Sequence, residues 1–284
     1  MSGDGLDVAA VVVDFHAGEA LADCVRSLRS NGVVDIVVVE NGERASSAAA
    51  LEGLSVDLVV PGVNLGYGGG VNRGAAHAPR RRYLLISNPD VVVHDGAVEA
   101  LVRTADAHTE VGIVGPRIVS SDGTIYPSQR SFPNMWLAGA HALVEPIWPA
   151  NPATRRYRSR RDERPVDWVS GAFMLIPREV FERVGGFDER YFMFAEDMDL
   201  CWRVRELGYE VSACDDAVVT HIEGLSRARD PRPMLIAHHR SALRFEWQTS
   251  RGLRRLLVPL ATLVLGLRLL VVLMRPGTSL GDGS

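Results

Sequence analysis

The sequence has no lysine; all 31 of its basic residues are arginine. Lysine-dependent chemistry, such as a Schiff base or a P-loop lysine, is thereby excluded. Cysteine is scarce. Cys24, Cys201 and Cys214 are scattered, with no C-x-x-C pair, which argues for a reducing, cytosolic compartment. Neither sign of charge dominates: the net charge is −4 over 284 residues, so there is no global pull toward nucleic acid. The N-terminal stretch MSGDGLDVAAVVVDF has no basic n-region and no h-region, so no secretory signal is expected. The apolar C-terminal segment lacks an uncharged run of the roughly 20 residues that a bilayer span needs; its longest, 256–267, is shorter. What the chain has in quantity is apolar residues, 46% of the total, enough for a sizeable core and too many for global disorder.

Those residues come in short runs at a regular pitch. VAAVVVDF (8–15) and VDIVVVEN (34–41) read as buried parallel strands, VDLVVPG (56–62) as a third, RYLLISNPD (82–90) as a fourth and VGIVGPRIV (111–119) as a fifth. Between them, Leu21, Val25 and Leu28 share a helical face, GGVNRGAAHA (69–78) reads as a small-residue helix, and DGAVEALVRTADAH (95–108) as another. Strands alternating with helices predict an α/β sheet built of βαβ units. The pattern stops near Pro116. From about 120 to 165 the chain is irregular and includes the basic run RRYRSRRDER, read as a solvated loop. VDWVSGAFMLIP (166–177) resumes as a strand, EDMDLCWRVRELG (196–208) is a helix with Leu200, Val204 and Leu207 on one face, and YEVSACDD (209–216) is a short strand.

In such sheets ligands bind beyond the carboxyl ends of the strands. Asp14 ends the first strand and Glu40 the second, Asn64 follows the third, and Asn88 and Asp90 end the fourth. The Gly-rich stretch NLGYGGGVNRG (64–74) follows the third strand rather than the first and departs from G-x-G-x-x-G at Val71, which counts against a dinucleotide-binding oxidoreductase. An Asp on the turn S-N-P-D offers a hard oxygen to a divalent cation. Glu196 and Asp197 open a helix, where the macrodipole favours negative charge and is expected to lower their pKa; a carboxylate there is also placed to act as a general base. Asp199 is expected to pair with Arg203 one turn on.

The ordered set VVVDFH, VVVENG, NLGYGGGVNRG, LLISNPDV, WVSGAFMLIPREVFERVGGFDERYFMFAEDMDLCWRVRELGY and HIEGLS resembles the family 2 glycosyltransferases of the GT-A fold, over about residues 8–245. Within that family the chain looks most like bacterial rhamnosyltransferases that act on N-acetylglucosaminyl-diphospho-polyprenol. The resemblance implies a mostly parallel central sheet flanked by helices, with a nucleotide-binding half at about 8–120 and an acceptor half at about 165–248. It implies that Asp14, Phe15 and Glu40 line a nucleobase pocket, and that Asn64, Gly66, Asn72, Asn88 and Asp90 belong to the nucleotide-sugar site. Asp90 and His221 would hold Mg2+ or Mn2+, Asp197 would be the catalytic base, and Trp168, Gly171 and Glu196 would shape the acceptor side. Asn88 stands where the family's metal motif has its first Asp, and no Gln-x-x-Arg-Trp motif of processive synthases is present.

The implied activity is inverting transfer of a sugar, L-rhamnose from dTDP-rhamnose, to a lipid-linked saccharide. The alternatives are a UDP- or GDP-sugar donor, or a silent sugar-nucleotide-binding protein. The segment 251–277 carries five arginines and no acid, so it is expected to rest on the cytoplasmic face of a membrane. Packing on the catalytic domain or pairing two copies in a homodimer are its other uses.

Overall fold

The computed structural model describes residues 5–42, 47–132, 148, 152, 166–222, 232–252 and scattered positions between 255 and 266. The basic run at 155–164, most of HIEGLS and most of 251–277 lie outside them. In chain order the elements are β1 (Val8–Asp14), α1 (Glu19–Ser30), β2 (Asp35–Glu40), α2 (Ser47–Ala50), β3 (Asp57–Val59), α3 (Gly66–His77), β4 (Tyr83–Ser87), β5 (Val91–Val93), α4 (Ala97–Ala107), β6 (Val111–Ser120), β7 (Ile125–Tyr126), β8 (Gln129–Arg130), β9 (Trp168–Val169), β10 (Phe173–Pro177), α5 (Arg178–Val184), α6 (Glu196–Glu206), β11 (Glu210–His221) and α7 (Arg232–Thr249).

The main sheet runs β3-β2-β1-β4-β10-β6-β11-β5, with β7 added on β6, and β8 pairs β9 in a separate ribbon. β1 shows why its sequence is apolar throughout. Val8, Ala10 and Val12 face one core with Leu21, Val25 and Leu28 of α1 and Leu101 of α4. Ala9, Val11 and Val13 face a second core with Val71 and Ala75 of α3 and Leu200 and Val204 of α6. Strand side chains alternate, so burial on both faces removes the polar alternation.

The first half of the sheet is parallel, β3 to β4, as the βαβ pattern predicts. The second half is mixed: β10 runs antiparallel to both β4 and β6, while β6 and β11 are parallel.

Several boundaries differ from the sequence reading. The third strand is a three-residue edge strand rather than a buried one; Leu58 is 37% exposed and Val60 beyond it 52%. The fourth, read to Asp90, ends at Ser87, and a separate strand, β5, starts at Val91 on the far edge of the sheet. The fifth runs through Pro116 as read, and its partner accommodates the proline by a register break between Cys214 and Val218, the way sheets tolerate a residue without an N–H. In α6 Leu207 is 39% exposed, so the buried stripe is Leu200 and Val204.

The small-residue helix starts three residues earlier than its sequence reading at Gly69. Helix α3 begins at Gly66. A Cβ at Gly74 would come 2.4 Å from Val11 Cγ1, and one at Gly70 2.8 Å from Val13 Cγ1. Those glycines let the helix backbone lie directly on β1. Gly66 itself, at φ +73°, lets Tyr67 N–H donate to the Phe192 carbonyl at 3.1 Å.

Candidate active site

Three groups of side chains gather at the carboxyl ends of the central strands. The first joins Asp14 and Glu40, register partners on β1 and β2. Each is 1% exposed. Ser47, at the start of α2, donates its amide to Glu40 Oε2 at 2.6 Å, and its hydroxyl lies 2.6 Å from Asp14 Oδ2 and also against Glu40 Oε2. The Ser47 hydroxyl thus lies between the two carboxylates. Burial pushes the Asp14 carboxyl up, and the charge of Glu40 adds to it. Phe15, 39% exposed, contacts the ring of His16 at 4.7 Å. His16 sits at φ 60°, a costly conformation for a residue with a Cβ.

Asn64 belongs to the loop behind this corner. Its Oδ1 accepts from Gly66 N–H at 2.9 Å and from Asn41 Nδ2 at 3.2 Å, and Asn41 also bonds the Leu65 amide and the Gly66 carbonyl. Asn72 points away from the group. Its amide bonds both the N–H and the carbonyl of Phe187 at 2.9 Å, and Glu189 at 3.0 Å, so it ties α3 to the turn after α5.

The second group is Asn88, Asp90 and His221. The turn between β4 and β5 carries the first two, and the last residue of β11 carries the third. His221 Nε2 lies 3.1 Å from Asp90 Oδ1 and 3.3 Å from Asn88 Nδ2. His221 Nδ1 is buried and has no hydrogen-bond partner among the described residues. The edge of Tyr126 meets the His221 ring at 6.3 Å. Among the described residues no three His, Cys, Asp or Glu side chains converge on a metal-sized point.

The third group lies at the start of α6. Asp197 Oδ2 accepts the Gly171 amide at 2.8 Å and Oδ1 the Met198 amide at 2.7 Å. The strand read from 166 to 177 breaks at Ser170–Gly171, which turns that amide toward Asp197. Tyr67 Oη donates to the Gly171 carbonyl at 2.6 Å. A Cβ at Gly171 would lie 3.1 Å from Asp197 Cβ, so only glycine fits without displacement. Glu196 is 8% exposed, and its Oε2 is buried without a partner among the described residues.

The dipole argument predicts lowered pKa values for this pair, and the structure reverses it. Burial pushes Glu196 up to about 8, with the neighbouring Asp197 charge adding to the effect. Burial raises Asp197 as well, against the backbone amides that favour its charge. The turn that delivers both is strained: Phe194 and Ala195 have φ of 68° and 63°.

Asp199 pairs with Arg203 at 2.7 Å, as the i, i+4 spacing predicts. Its other oxygen accepts from Gln248 of α7 at 2.6 Å, a brace that nothing in the local sequence signals. Trp168 donates Nε1–H to the Ser131 carbonyl at 3.3 Å, and the guanidinium of Arg130 lies over its ring at 5.4 Å. Ser47, Tyr67 and Arg130 are the contributors that the sequence reading misses. Tyr67 reaches its partner across 104 positions, a distance at which no local pattern operates.

Comparison with known proteins bears on the family and the fold. The family model described as glycosyltransferase like family 2 matches residues 5–240. An N-acetylglucosaminyl-diphospho-decaprenol L-rhamnosyltransferase of Mycobacterium tuberculosis is 38% identical over 77% of this chain and 76% of its own. A low-salt glycan biosynthesis hexosyltransferase of Haloferax volcanii is 26% identical over 78% of this chain and 69% of its own. Among solved structures, a mannosyltransferase from Pyrobaculum calidifontis in complex with GDP-Man and Mn2+ superposes with a TM-score of 0.58 at 15% identity, over 96% of this chain and 76% of its own. Acids at the strand ends, a carboxylate fixed at a helix start and a GT-A-like sheet thus lead to one assignment: the chain belongs to glycosyltransferase family 2 and is a glycosyltransferase.

Proposed function

We propose that the enzyme transfers L-rhamnose from dTDP-rhamnose, with inversion, to a saccharide carried on a polyprenyl diphosphate. The observation that carries the reading is the placement of Asp197. Two backbone amides hold its carboxylate in one orientation on a turn anchored to both α3 and β9. The M. tuberculosis relative, named for a reaction of this class, supports the choice of substrates.

In this mechanism Asp197 takes the proton of the acceptor hydroxyl as it attacks the anomeric carbon, and the nucleoside diphosphate departs on the opposite side. Glu196, protonated below about pH 8, contributes a neutral donor to the acceptor hydroxyls. Asp14, Phe15 and Glu40 form the wall against the base, while Asn64 and Gly66 shape the loop beside the sugar. Asn72 is set aside, because its amide is fully used elsewhere.

Asp90 and His221 fit a divalent cation. A carboxylate oxygen and an imidazole nitrogen 3.1 Å apart have the spacing of neighbouring ligands on one cation with bonds of about 2.1 Å. Substrate phosphates would supply further ligands. Bound there, Mg2+ or Mn2+ would neutralise charge on the leaving diphosphate.

The C-terminal segment rests on the membrane that holds the acceptor. Among the described residues no helix is long and apolar enough to cross a membrane. Trp247, Leu256 and Leu263 are 51%, 73% and 59% exposed, and Arg255 lies over Trp247 at 4.8 Å. That apolar and basic mixture suits a headgroup boundary.

A donor panel tests the reading. At 100 times its dissociation constant a ligand stabilises the fold by about 2.7 kcal/mol. With Mn2+ present, dTDP-rhamnose is expected to raise the melting temperature more than UDP- or GDP-sugars do. A larger shift with a UDP- or GDP-sugar overturns the donor assignment.

A further inference from the structure

Arg130 stands between the two chemical groups of the site, and nothing in the reading above uses its charge. It is held by backbone and rings rather than by an acid. Its Nε–H donates to the Pro127 carbonyl. Its guanidinium lies 5.8 Å from the centroid of Tyr126 and 5.4 Å from that of Trp168. Arg130 is the register partner of Trp168 in the β8–β9 ribbon, and the same strand leads in three residues to Gly171, whose amide holds Asp197. On the other flank, Tyr126 reaches the His221 ring that bonds Asp90.

Most described arginines of this chain have a carboxylate within 4 Å, Arg80, Arg81, Arg82, Arg178, Arg190, Arg203, Arg205 and Arg251 among them. Arg130 has none among the described residues, and its terminal amino groups donate to none of them. A guanidinium with both terminal amino groups free is built for bidentate anion recognition. Among the described residues, no arginine bonds the side chains of Asn88, Asp90 or His221. Asn88 contributes no charge, and a preorganised cation aimed at a departing diphosphate stabilises the charge that develops on it.

We propose that Arg130 is an anion-binding residue of the transfer site that engages a diphosphate lying between Asp197 and the Asp90–His221 corner. Tyr126 and Trp168 hold the guanidinium plane so that little side-chain freedom is lost on binding. Its field also reaches Asp197, where it opposes the upward push of burial; this is a secondary consequence of the same placement. The diphosphate has two sources in the reaction, the nucleotide donor and the polyprenyl-linked acceptor. The acceptor source rests on the function proposed above, and the donor source needs only family membership.

The test compares the wild type with Arg130→Gln and Arg130→Lys in the full-length protein. Dissociation constants are measured for dTDP, UDP and GDP with Mn2+. KM is measured for N-acetylglucosaminyl-diphospho-polyprenol and for an alkyl N-acetylglucosaminide that lacks the diphosphate. Arg130→Gln is expected to weaken one diphosphate ligand by about tenfold or more, with Arg130→Lys recovering part of the loss and the melting temperature little changed. Weakened nucleotide binding assigns the donor; a raised KM for the diphosphate acceptor alone assigns the acceptor.

Unchanged affinity for every diphosphate overturns the proposal. So does an equal loss for the neutral glycoside accompanied by a lower melting temperature, since Arg130 would then only staple β8 to β9. A shift confined to the acidic limb of the pH–rate profile overturns it too, leaving Arg130 as a modulator of Asp197. If the wild type turns over neither acceptor, the proposed function fails separately, and unchanged nucleotide affinity in that case removes the Arg130 proposal with it.

Discussion

Asp197 accepts two backbone amides, whereas the buried Oε2 of Glu196 has no partner among the described residues. Replacing Asp197 by Asn keeps the shape and removes the basicity. Transfer is expected to fall by about 10²–10⁴-fold with donor affinity nearly intact; a rate close to wild type at saturating substrates would give the role to another group. Glu196 makes a prediction about stability. Its folded pKa, about 8, lies above the unfolded carboxyl value of about 4.3. Between those values the unfolded chain releases a proton that the folded chain keeps, so wild-type stability declines as pH rises, by up to about 1.4 kcal/mol per pH unit. Glu196→Gln removes that dependence. Its melting temperature relative to wild type should therefore climb from about pH 5 to about pH 8. A constant difference would mean that Glu196 is ionised in the fold.

Among the elements, α3 carries its glycines as a packing device. Gly74→Ala would force a Cβ to within 2.4 Å of Val11 in the centre of β1. Overpacking of this kind costs about 1–3 kcal/mol, which denaturant unfolding would register; an unchanged midpoint would mean that α3 stands off the sheet. This helix also shows why the sequence was legible only in part. Strands buried on both faces announce themselves as unbroken apolar runs, so β1 and β2 were readable, as were α1 and α6 from their spacing. Glycine reads as loop in one dimension, so the first turn of α3 was not.

Other elements were missed for the same reason, that tertiary partners define them. The seven residues of α5 are too few to show a period. The sequence of α7 mixes two histidines and two interior arginines into its apolar positions. The site followed the same rule. Acids at strand ends and at a helix start could be located from the sequence, while Ser47, Tyr67, Arg130 and Gln248 act through contacts made across the fold. Gln248 is the clearest case: it bonds the buried Asp199 from the end of α7. Ending the chain at Thr249 keeps this bond, whereas Gln248→Ala removes a donor from a fully buried carboxylate and should cost about 1–3 kcal/mol. Equal stability of that variant and the wild type would show that Arg203 alone satisfies Asp199.

Across the whole molecule, acids gather at the carboxyl ends of one sheet, and the helix whose Gln248 braces Asp199 precedes the apolar, arginine-rich end of the chain. If that end rests on a membrane, the full-length protein should bind anionic vesicles and lose part of that binding in high salt, as screening shortens the reach of its arginines to a few ångströms. The form ending at Thr249 should bind nucleotide but not vesicles. Equal flotation of both forms would contradict the membrane contact. The central claim, inverting transfer between a sugar nucleotide and a lipid diphosphate, is tested most directly by NMR of the product formed from dTDP-L-rhamnose and N-acetylglucosaminyl-diphospho-polyprenol. The account predicts a new rhamnosyl linkage whose anomeric configuration is opposite to that of the donor. A linkage with the donor's configuration, or no product from this pair, would contradict it.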